Sequence, residues 1–387
     1  MQTLSRTTTT SAADQRPASF SSPGLLALEG GTVLSGRLRG AQVRAEGDLI
    51  FTTAATGWGE ILTDPSYAGQ IVVLTHPMAG NYRIDPAELE SDGVKARALI
   101  VTRLVTPPAG PGLAMEDLLR DAGIPALEGI DTRALTLELR RGAARRAVVL
   151  PADGVDAEQA VAAARATPAW ESVDHVAAVS ATSAHGVAPT GPAVARATLV
   201  DYGVKRSLLR ALADRGLAIT VLPHDASAAD VLATSPDLVV LSPGPGDPAR
   251  MALQIEAVRE LAGSAIAGGP PILGICLGHQ LLALAAGAPT RRLAVGHHGG
   301  NHAVIDTASG QVDIGAHNHE VAVLDTPELA AAGYRVSYRD LNDGTVEGLE
   351  HASGRIASVQ FHPEGAPGPI DAARVFDLAV TAAQRPA

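Results

Sequence analysis

Residues 270–287 read PPILGICLGHQLLALAAG. The run PPILGI predicts a buried strand that leads into Cys276, and a helix is predicted to follow to about Ala286. Gly274-x-Cys276-x-Gly278 is then the thiol counterpart of the G-x-S-x-G nucleophile elbow. The two glycines remove Cβ atoms that would clash in so sharp a turn, and the positive end of the helix favours a thiolate. Taken alone, a buried structural cysteine explains the motif about equally well.

The second half of the chain alternates strand and helix patterns around this stretch. Between residues 195 and 286, short and almost continuously apolar strands alternate with amphipathic helices. This pattern predicts a doubly wound, largely parallel α/β sheet. From Arg291 the pattern changes to short strands with turns, and it ends in IASVQFHPE (356–364) and a terminal helix.

The first half predicts a different kind of unit. Residues 25–150 carry β-prone runs bounded by turn residues, with two helical patterns among them, and predict a smaller β-rich α+β domain. Residues 1–24 are rich in Ser, Thr and Ala and are interpreted as a disordered tail, because they lack the apolar core of a secretory signal. Residues 151–194 predict one helix and a linker, followed by the second domain at 195–387.

Composition excludes several classes of function. The 387 residues carry a net charge of −11, which argues against nucleic acids or anionic membranes as partners. The single cysteine excludes an internal disulfide and fits a cytoplasmic location. The only two lysines, Lys95 and Lys205, end no phosphate-binding P-loop, so no nucleotide or other cofactor is predicted in this chain.

Histidine is abundant, and the cluster of His297, His298 and His302 raises the question of a metal. The chain contains neither an H-E-x-x-H nor a C-x-x-C motif. We therefore interpret these histidines as a hydrogen-bonded loop and predict no metal site.

A second motif supplies a base for the cysteine. His362-Pro363-Glu364 follows a predicted strand, and residues two apart in an extended segment point to the same side. Glu364 can then hold one imidazole nitrogen of His362 while the other nitrogen faces the thiol. Nucleophile, base and orienting carboxylate together indicate covalent catalysis by Cys276.

A third motif, SPGPGDP (242–248), lies at the carboxyl end of the strand before the nucleophile strand. Open α/β sheets bind their ligands at this edge. Glycines there let backbone N–H groups approach a substrate or a developing oxyanion. The loop does not have the G-x-G-x-x-G pattern, which argues against a dinucleotide.

In this order, the three motifs resemble the class I glutamine amidotransferases over residues 195–387. The first half, with GEILTDPSYAGQIVVLTHPMAGNY (59–82) and GIDTRALTLELRRGA (129–143), is similar to the N-terminal domain of the small subunits of carbamoyl-phosphate synthetase. The resemblance therefore covers everything after the tail.

The resemblance implies that L-glutamine is hydrolysed to glutamate and ammonia through a thioester on Cys276. His362 would act as base and then as acid, Glu364 would orient it, and the backbone N–H groups of Gly246 and Leu277 would bind the oxyanion. The residues that match the family's glutamine-binding positions are Ser66, Gly244, Gly246, Leu277, Gln280 and Asn318.

The resemblance also implies a partner. This would be a separate large synthetase subunit that binds ATP and magnesium, receives the ammonia and makes carbamoyl phosphate from bicarbonate. The product would serve arginine synthesis, pyrimidine synthesis or both.

One segment departs from the family. Residues 317–321 read His-Asn-His-Glu-Val where the family usually has Q-N-H-G-F, so Glu320 and Val321 stand in two substrate-contacting positions. We expect Glu320 either to face solvent or to form an ion pair away from the substrate carboxylate. The alternatives are a catalytically impaired scaffold or regulatory subunit of the same complex, and an amidotransferase serving another synthetase. The intact Cys276, His362 and Glu364 favour an active glutaminase.

Overall fold

A computed structural model of the protein describes residues 21–142 and 145–384. The first half of the described chain forms a closed barrel of seven strands. In chain order these are β1 (Ser22–Leu28), β2 (Val33–Gly40), β3 (Ala45–Thr52), β4 (Gln70–Leu74), β5 (Ala98–Val101), β6 (Pro125–Glu128) and β7 (Arg146–Pro151). Around the barrel the order is β1-β2-β6-β5-β4-β3-β7, and β7 closes on β1.

The barrel is packed on both sides of its wall. Every residue of β4 and β5 is buried, because the strands face the barrel interior on one side and short helices on the other. The helices of this half are α1 (Trp58–Thr63), α2 (Met115–Asp121) and α3 (Thr132–Arg140). A β-rich domain that also contains helices was expected, and this expectation is confirmed.

The strand β1 begins inside the predicted tail. Ser22, Pro23 and Gly24 already pair with β2, since Gly24 lies opposite Gly36 in the antiparallel register. The tail predicted at 1–24 therefore ends by residue 21, and its residues 1–20 lie outside the described part of the chain.

The second half is built on one sheet of ten strands. They are β8 (His185–Val187), β9 (Ala195–Asp201), β10 (Leu217–Pro223), β11 (Leu238–Leu241), β12 (Ile272–Ile275), β13 (Thr290–Asp306), β14 (Val312–Val323), β15 (Tyr334–Asp340), β16 (Val346–His351) and β17 (Ile356–Val359). Their order is β14-β13-β15-β16-β17-β12-β11-β9-β10-β8. The five strands β17, β12, β11, β9 and β10 are parallel, and the rest pair antiparallel.

Helices cover both faces of the parallel part. The remaining helices of the chain are α4 (Ala157–Ala166), which packs on the barrel, and α5 (Arg206–Ala213), α6 (Ala228–Ala233), α7 (Ala252–Ile266), α8 (Leu277–Ala285), α9 (Pro327–Ala331) and α10 (Arg374–Ala383) of the sheet domain. The helices α6, α7 and α8 share one hydrophobic core, while α5 and α10 share another on the opposite face. The predicted doubly wound, largely parallel sheet is confirmed. No helix within the described residues has both the length and the apolarity needed to span a membrane.

The predicted helix and linker, 151–194, bind to both halves. Ala160 and Ala164 of α4 pack on the barrel against Ala27 and Val148. Further along, β8 adds an antiparallel edge strand to β10. The segment thus contacts both the barrel and the sheet domain, whereas its composition predicted only one helix and a linker.

The two halves also contact each other directly through buried polar groups. Glu90 of the barrel half is fully buried and accepts hydrogen bonds from the backbone N–H (2.9 Å) and hydroxyl (2.6 Å) of Ser207 in the first turn of α5. A carboxylate at this end of a helix is favoured by the helix dipole. On the other side of the interface, Asp48 of β3 pairs with Arg292 of β13.

Candidate active site

Cys276 stands at the turn between β12 and α8, in a backbone conformation that side chains rarely adopt. Its φ is 51°, and the residue is 2% exposed. A Cβ on Gly278 would lie 2.3 Å from the carbonyl oxygen of Leu241, and one on Gly274 would lie 2.6 Å from Leu282. Both flanking positions must therefore be glycine. Strained backbone of this kind concentrates at functional sites, where the surrounding structure maintains it.

The thiol has one polar side chain beside it that the sequence motifs did not indicate. Gln360 is fully buried, and its amide Nε2 lies 3.5 Å from the Cys276 sulfur. An N–H donor at this position stabilises a thiolate more than a thiol. Gln360 is two residues before His362, on the same extended segment, so the i, i+2 rule that paired His362 with Glu364 would also have indicated it.

His362 and Glu364 are arranged as expected. His362 Nδ1 lies 2.7 Å from Glu364 Oε1, and Nε2 is buried with no hydrogen-bond partner among the described residues. Burial by itself lowers the pKa of His362, but the Glu364 carboxylate and the Cys276 thiol raise it to about 10. Conversely, burial raises the pKa of Glu364, while Lys205 and His362 bring it down to about 2. His362, held by Glu364, is therefore a strong base beside the Cys276 thiol.

Lys205 completes this arrangement. Its Nζ is buried and lies 3.2 Å from Glu364 Oε1, so the carboxylate stands between two cationic groups. The sequence contained one signal for it, because a lysine stands four residues after the end of the apolar strand β9 in a chain with only two lysines.

The pocket in front of the sulfur has walls from both halves of the chain. Its lining contains every residue that was assigned to glutamine binding except Leu277, which is the first residue of α8. It also contains Gln70, Trp170 and His298, to which sequence reasoning gave no part in glutamine binding. The complete lining is Ser66, Gln70, Trp170, Gly244, Pro245, Gly246, Cys276, Gln280, His298, Asn318, His319, Glu320 and Val321.

Two side chains from the barrel half bring unsatisfied polar atoms to this pocket. The hydroxyl of Ser66 and the amide oxygen of Gln70 are buried and have no hydrogen-bond partner within the described residues. Buried polar atoms of this kind are rare unless a water or a ligand completes them. Both atoms are therefore available to a polar substrate.

The glycine-rich loop approaches the pocket through its backbone. A Cβ on Gly244 would lie 2.2 Å from the carbonyl oxygen of Tyr202, so only glycine fits there. Gly246 has a φ of 105°, which is again a glycine conformation. In the first turn of α8, the N–H of Gly278 is used by the Ser242 carbonyl at 3.1 Å, which leaves Leu277 as the first donor of that helix for an oxyanion.

Of the two arrangements expected for Glu320, exposure to solvent or an ion pair, the structure has the ion pair. The Glu320 side chain is 2% exposed and forms ion pairs with Arg145 and with Arg292, whose Nε lies 3.5 Å away. His298 Nε2 adds a hydrogen bond at 2.7 Å. Burial raises the pKa of Glu320, but His298 and the two arginines lower it to about 2. Arg145 is 175 residues away in sequence, so no local pattern could have indicated the pair.

The same network continues across the domain interface. His298 Nδ1 lies 2.8 Å from Asn318 Oδ1, and Asn318 Nδ2 donates to Asp64 at 2.9 Å. Asp64 of the barrel half also accepts from the backbone N–H of Ser66 at 2.9 Å. Hydrogen bonds thus fix Ser66 and Asn318, on opposite walls of the pocket, relative to each other.

Replacing Glu320 with glutamine should lower the free energy of unfolding by about 3 kcal/mol, because Arg145 loses its buried counter-charge and Arg292 keeps only Asp48 and Glu171. Urea denaturation of the two proteins measures the difference. The matched control is Glu46→Gln, since the Arg44–Glu46 pair is exposed at 52% and 36% of its side chains and should contribute less than about 1 kcal/mol. Equal effects of the two substitutions would contradict the buried network.

Comparison with known proteins gives two family matches. The model for Glutamine amidotransferase class-I matches residues 198–382, and that for Carbamoyl-phosphate synthase small chain, CPSase domain, matches residues 26–149. The carbamoyl phosphate synthase small chain of Methanopyrus kandleri is 43% identical over 357 residues, covering 91% of this chain and 96% of that protein. The corresponding chain of Archaeoglobus fulgidus is 42% identical over 354 residues, with coverages of 91% and 96%. A crystal structure of a glutamine amidotransferase from Thermotoga maritima aligns with a TM-score of 0.35 at 18% identity, over 44% of this chain and 76% of that one.

Proposed function

The chain belongs to the family of carbamoyl-phosphate synthase small chains and carries a class I glutamine amidotransferase domain, and from this membership we propose that it hydrolyses glutamine and passes the ammonia to a large, ATP-using partner subunit. The observation that carries the proposal is the placement of Cys276, His362 and Glu364 at a pocket with unsatisfied polar walls. The barrel domain matches the small chains of carbamoyl-phosphate synthase. This match argues against the alternative that the chain supplies ammonia to another kind of synthetase.

The first half-reaction forms a thioester. The Cys276 thiolate attacks the side-chain carbonyl carbon of glutamine, and the oxyanion accepts hydrogen bonds from the N–H groups of Gly246 and Leu277. The His362 imidazolium then gives its proton to the departing nitrogen, so that the C–N bond breaks and ammonia leaves. Burial lowers the pKa of His362, but the Glu364 carboxylate raises it to about 10, so the imidazole is a base strong enough to take the thiol proton as Cys276 attacks.

The second half-reaction regenerates the enzyme. Neutral His362 takes a proton from a water molecule that attacks the thioester carbonyl, the C–S bond breaks and glutamate leaves. The imidazolium and the thiolate are thereby restored. Glu364 holds the imidazole in the tautomer that this exchange needs, and Lys205 keeps Glu364 charged.

The amino-acid end of glutamine would bind between the two halves of the chain. Gln280 Nε2 donates to Val321 O at 2.8 Å and to Gln360 Oε1 at 3.0 Å, so its amide oxygen is the atom left for the substrate ammonium. The Ser66 hydroxyl is suited to the substrate carboxylate. Glu320 lies in the same lining, but its charge is already compensated by two arginines.

The partner and location follow from the same reasoning. ATP and magnesium would bind to the large subunit, and carbamoyl phosphate would supply arginine synthesis, pyrimidine synthesis or both, in the cytoplasm. The test is to purify the chain with its co-expressed partner and to measure carbamoyl phosphate from ATP, bicarbonate and glutamine. Synthesis from ammonia but not from glutamine would overturn the proposal.

The rival, an impaired scaffold subunit, is tested by restoring the family pattern with Glu320→Gly and Val321→Phe together. Because the Glu320 charge is paired, we expect the KM for glutamine not to fall. An unpaired carboxylate about 4 Å from the substrate carboxylate would cost on the order of 1 to 4 kcal/mol, or roughly one to three powers of ten in affinity. Steady-state kinetics of the complex measures this. A ten-fold fall in KM, or glutaminase activity that appears only in the double variant, would favour the scaffold.

A further inference from the structure

Three buried histidines surround a buried carboxylate beside the glutamine pocket. Side chains alternate along a strand, so that Asn318 and Glu320 turn toward His298 while His317 and His319 turn toward Glu347. His319 is also part of the pocket lining. His297 of β13 and Glu347 of β16 meet them there. All four residues are buried, and one candidate ligand atom from each lies within 4.8 Å of all the others.

Each ring is oriented by an acceptor on its outer nitrogen. For His297 and His319 these contacts fix the tautomer, because the nitrogen that faces a carbonyl or a carboxylate must carry the hydrogen. The contacts are His297 Nε2 to Asp343 Oδ2 at 3.0 Å, His317 Nδ1 to Gly315 O at 3.3 Å, and His319 Nδ1 to Val321 O at 2.9 Å. Histidines that bind metals are held in this way by a carboxylate or a backbone carbonyl.

The second nitrogen of each ring points toward Glu347. Those of His297 and His319 carry lone pairs, whereas that of His317 is hydrogen-bonded to the carboxylate. His317 Nε2 lies 2.9 Å from Glu347 Oε2, while His297 Nδ1 and His319 Nε2 lie 3.8 and 3.9 Å from Oε1. The last two distances are too long for hydrogen bonds, and neither nitrogen has a partner among the described residues. In a tetrahedral site with bonds of about 2.0–2.2 Å, neighbouring ligand atoms lie about 3.3–3.6 Å apart. Small side-chain movements would therefore place all four atoms around one ion.

We propose that His297, His317, His319 and Glu347 bind a divalent transition metal ion, and that Zn²⁺ is the ion that fits best. Three imidazoles and one carboxylate are a zinc ligand set, whereas magnesium and calcium prefer oxygen ligands throughout. Four protein ligands leave no open position, so the ion would be structural. It would hold three strands together directly behind the wall of the glutamine pocket. This inference goes beyond the proposed function and departs from our expectation that the chain holds no metal.

Partly exposed side chains lie next to the four residues. His302, whose ring lies 4.8 Å from that of His297, and the half-exposed Asp343 mark the side from which an ion can enter.

The four proposed metal ligands do not form a recognisable sequence motif. The four residues come from three strands, with separations of 20, 2 and 28 residues, and only the sheet register brings them together. His317 stands where the resembled family usually has glutamine. Reverting it with His317→Gln is therefore a conservative way to remove one ligand.

The test is metal binding by the full chain. We expect the protein, loaded with Zn²⁺ and dialysed against metal-free buffer, to retain one equivalent by elemental analysis. Loaded instead with Co²⁺, it should show the intense visible absorption of a four-coordinate ion. Loss of the zinc on dialysis, or the weak spectrum of six-coordinate cobalt, would overturn the proposal.

Variants then locate the ion. His317→Gln and Glu347→Gln should lose the retained zinc, and Asp343→Asn should weaken its affinity about 10- to 100-fold by releasing the ring of His297. The control is His185→Gln, which removes an exposed histidine of β8 and should retain the ion. Undiminished binding by correctly folded His317→Gln and Glu347→Gln, checked by circular dichroism, would place the ion elsewhere and refute the site. If these two variants do not fold, the cobalt spectrum of the unchanged chain decides alone.

Discussion

Replacing Cys276 with serine should abolish carbamoyl phosphate synthesis from glutamine and leave synthesis from added ammonia largely unchanged. Serine fits the same tight turn between Gly274 and Gly278, so the fold should persist. Its hydroxyl, however, is a far weaker nucleophile than a thiolate stabilised by Gln360 and an imidazolium. We expect glutamine hydrolysis to fall by about four powers of ten or more.

The experiment compares both nitrogen donors in the complex of this chain with its large subunit. The ammonia-dependent rate is the internal control, because that reaction would take place in the partner. Loss of both rates would mean that Cys276 maintains the structure of the complex, and retention of both would remove it from the mechanism.

Replacing His362 with asparagine should reduce kcat for glutamine hydrolysis by about 10²- to 10⁴-fold, since His362 is, among the described residues, the base placed to carry protons between sulfur, ammonia and water. Asparagine is polar and can still donate to Glu364, so the buried carboxylate keeps a partner. Glu364→Gln should cost less, because it removes only the orienting charge while the imidazole remains.

Saturating kinetics with ammonia release as the readout separates these variants. A value of kcat near that of the unchanged chain for His362→Asn would exclude His362 as the base. A larger loss for Glu364→Gln than for His362→Asn would mean that the carboxylate does more than orient the ring.

The parts of the site that sequence could predict are those encoded within a few residues. The elbow depends on Gly274, Cys276 and Gly278, and the pair of His362 and Glu364 follows from the two-residue period of an extended segment. The parallel sheet was predictable because its strands are short, apolar and separated by helices. In each case the decisive interaction is local.

Other parts depend on distant segments. Closure of the barrel requires β7 to pair with β1 about 120 residues earlier, and no periodicity within either strand encodes this. The burial of Glu320 depends on Arg145 in the other half of the chain. The meeting of His297 with Glu347 depends on how three long antiparallel strands are registered. Such pairings are set by tertiary packing rather than by local propensity.

The link from Asp64 to both Ser66 and Asn318 has a consequence for the independence of the two halves. The sheet domain cut away from the barrel would keep its nucleophile but would lose Ser66 and Gln70, one complete wall of the substrate pocket. We therefore expect glutamine hydrolysis to require both halves of the chain, and the isolated sheet domain to be inactive. We also expect a shift of one half against the other to change glutamine turnover.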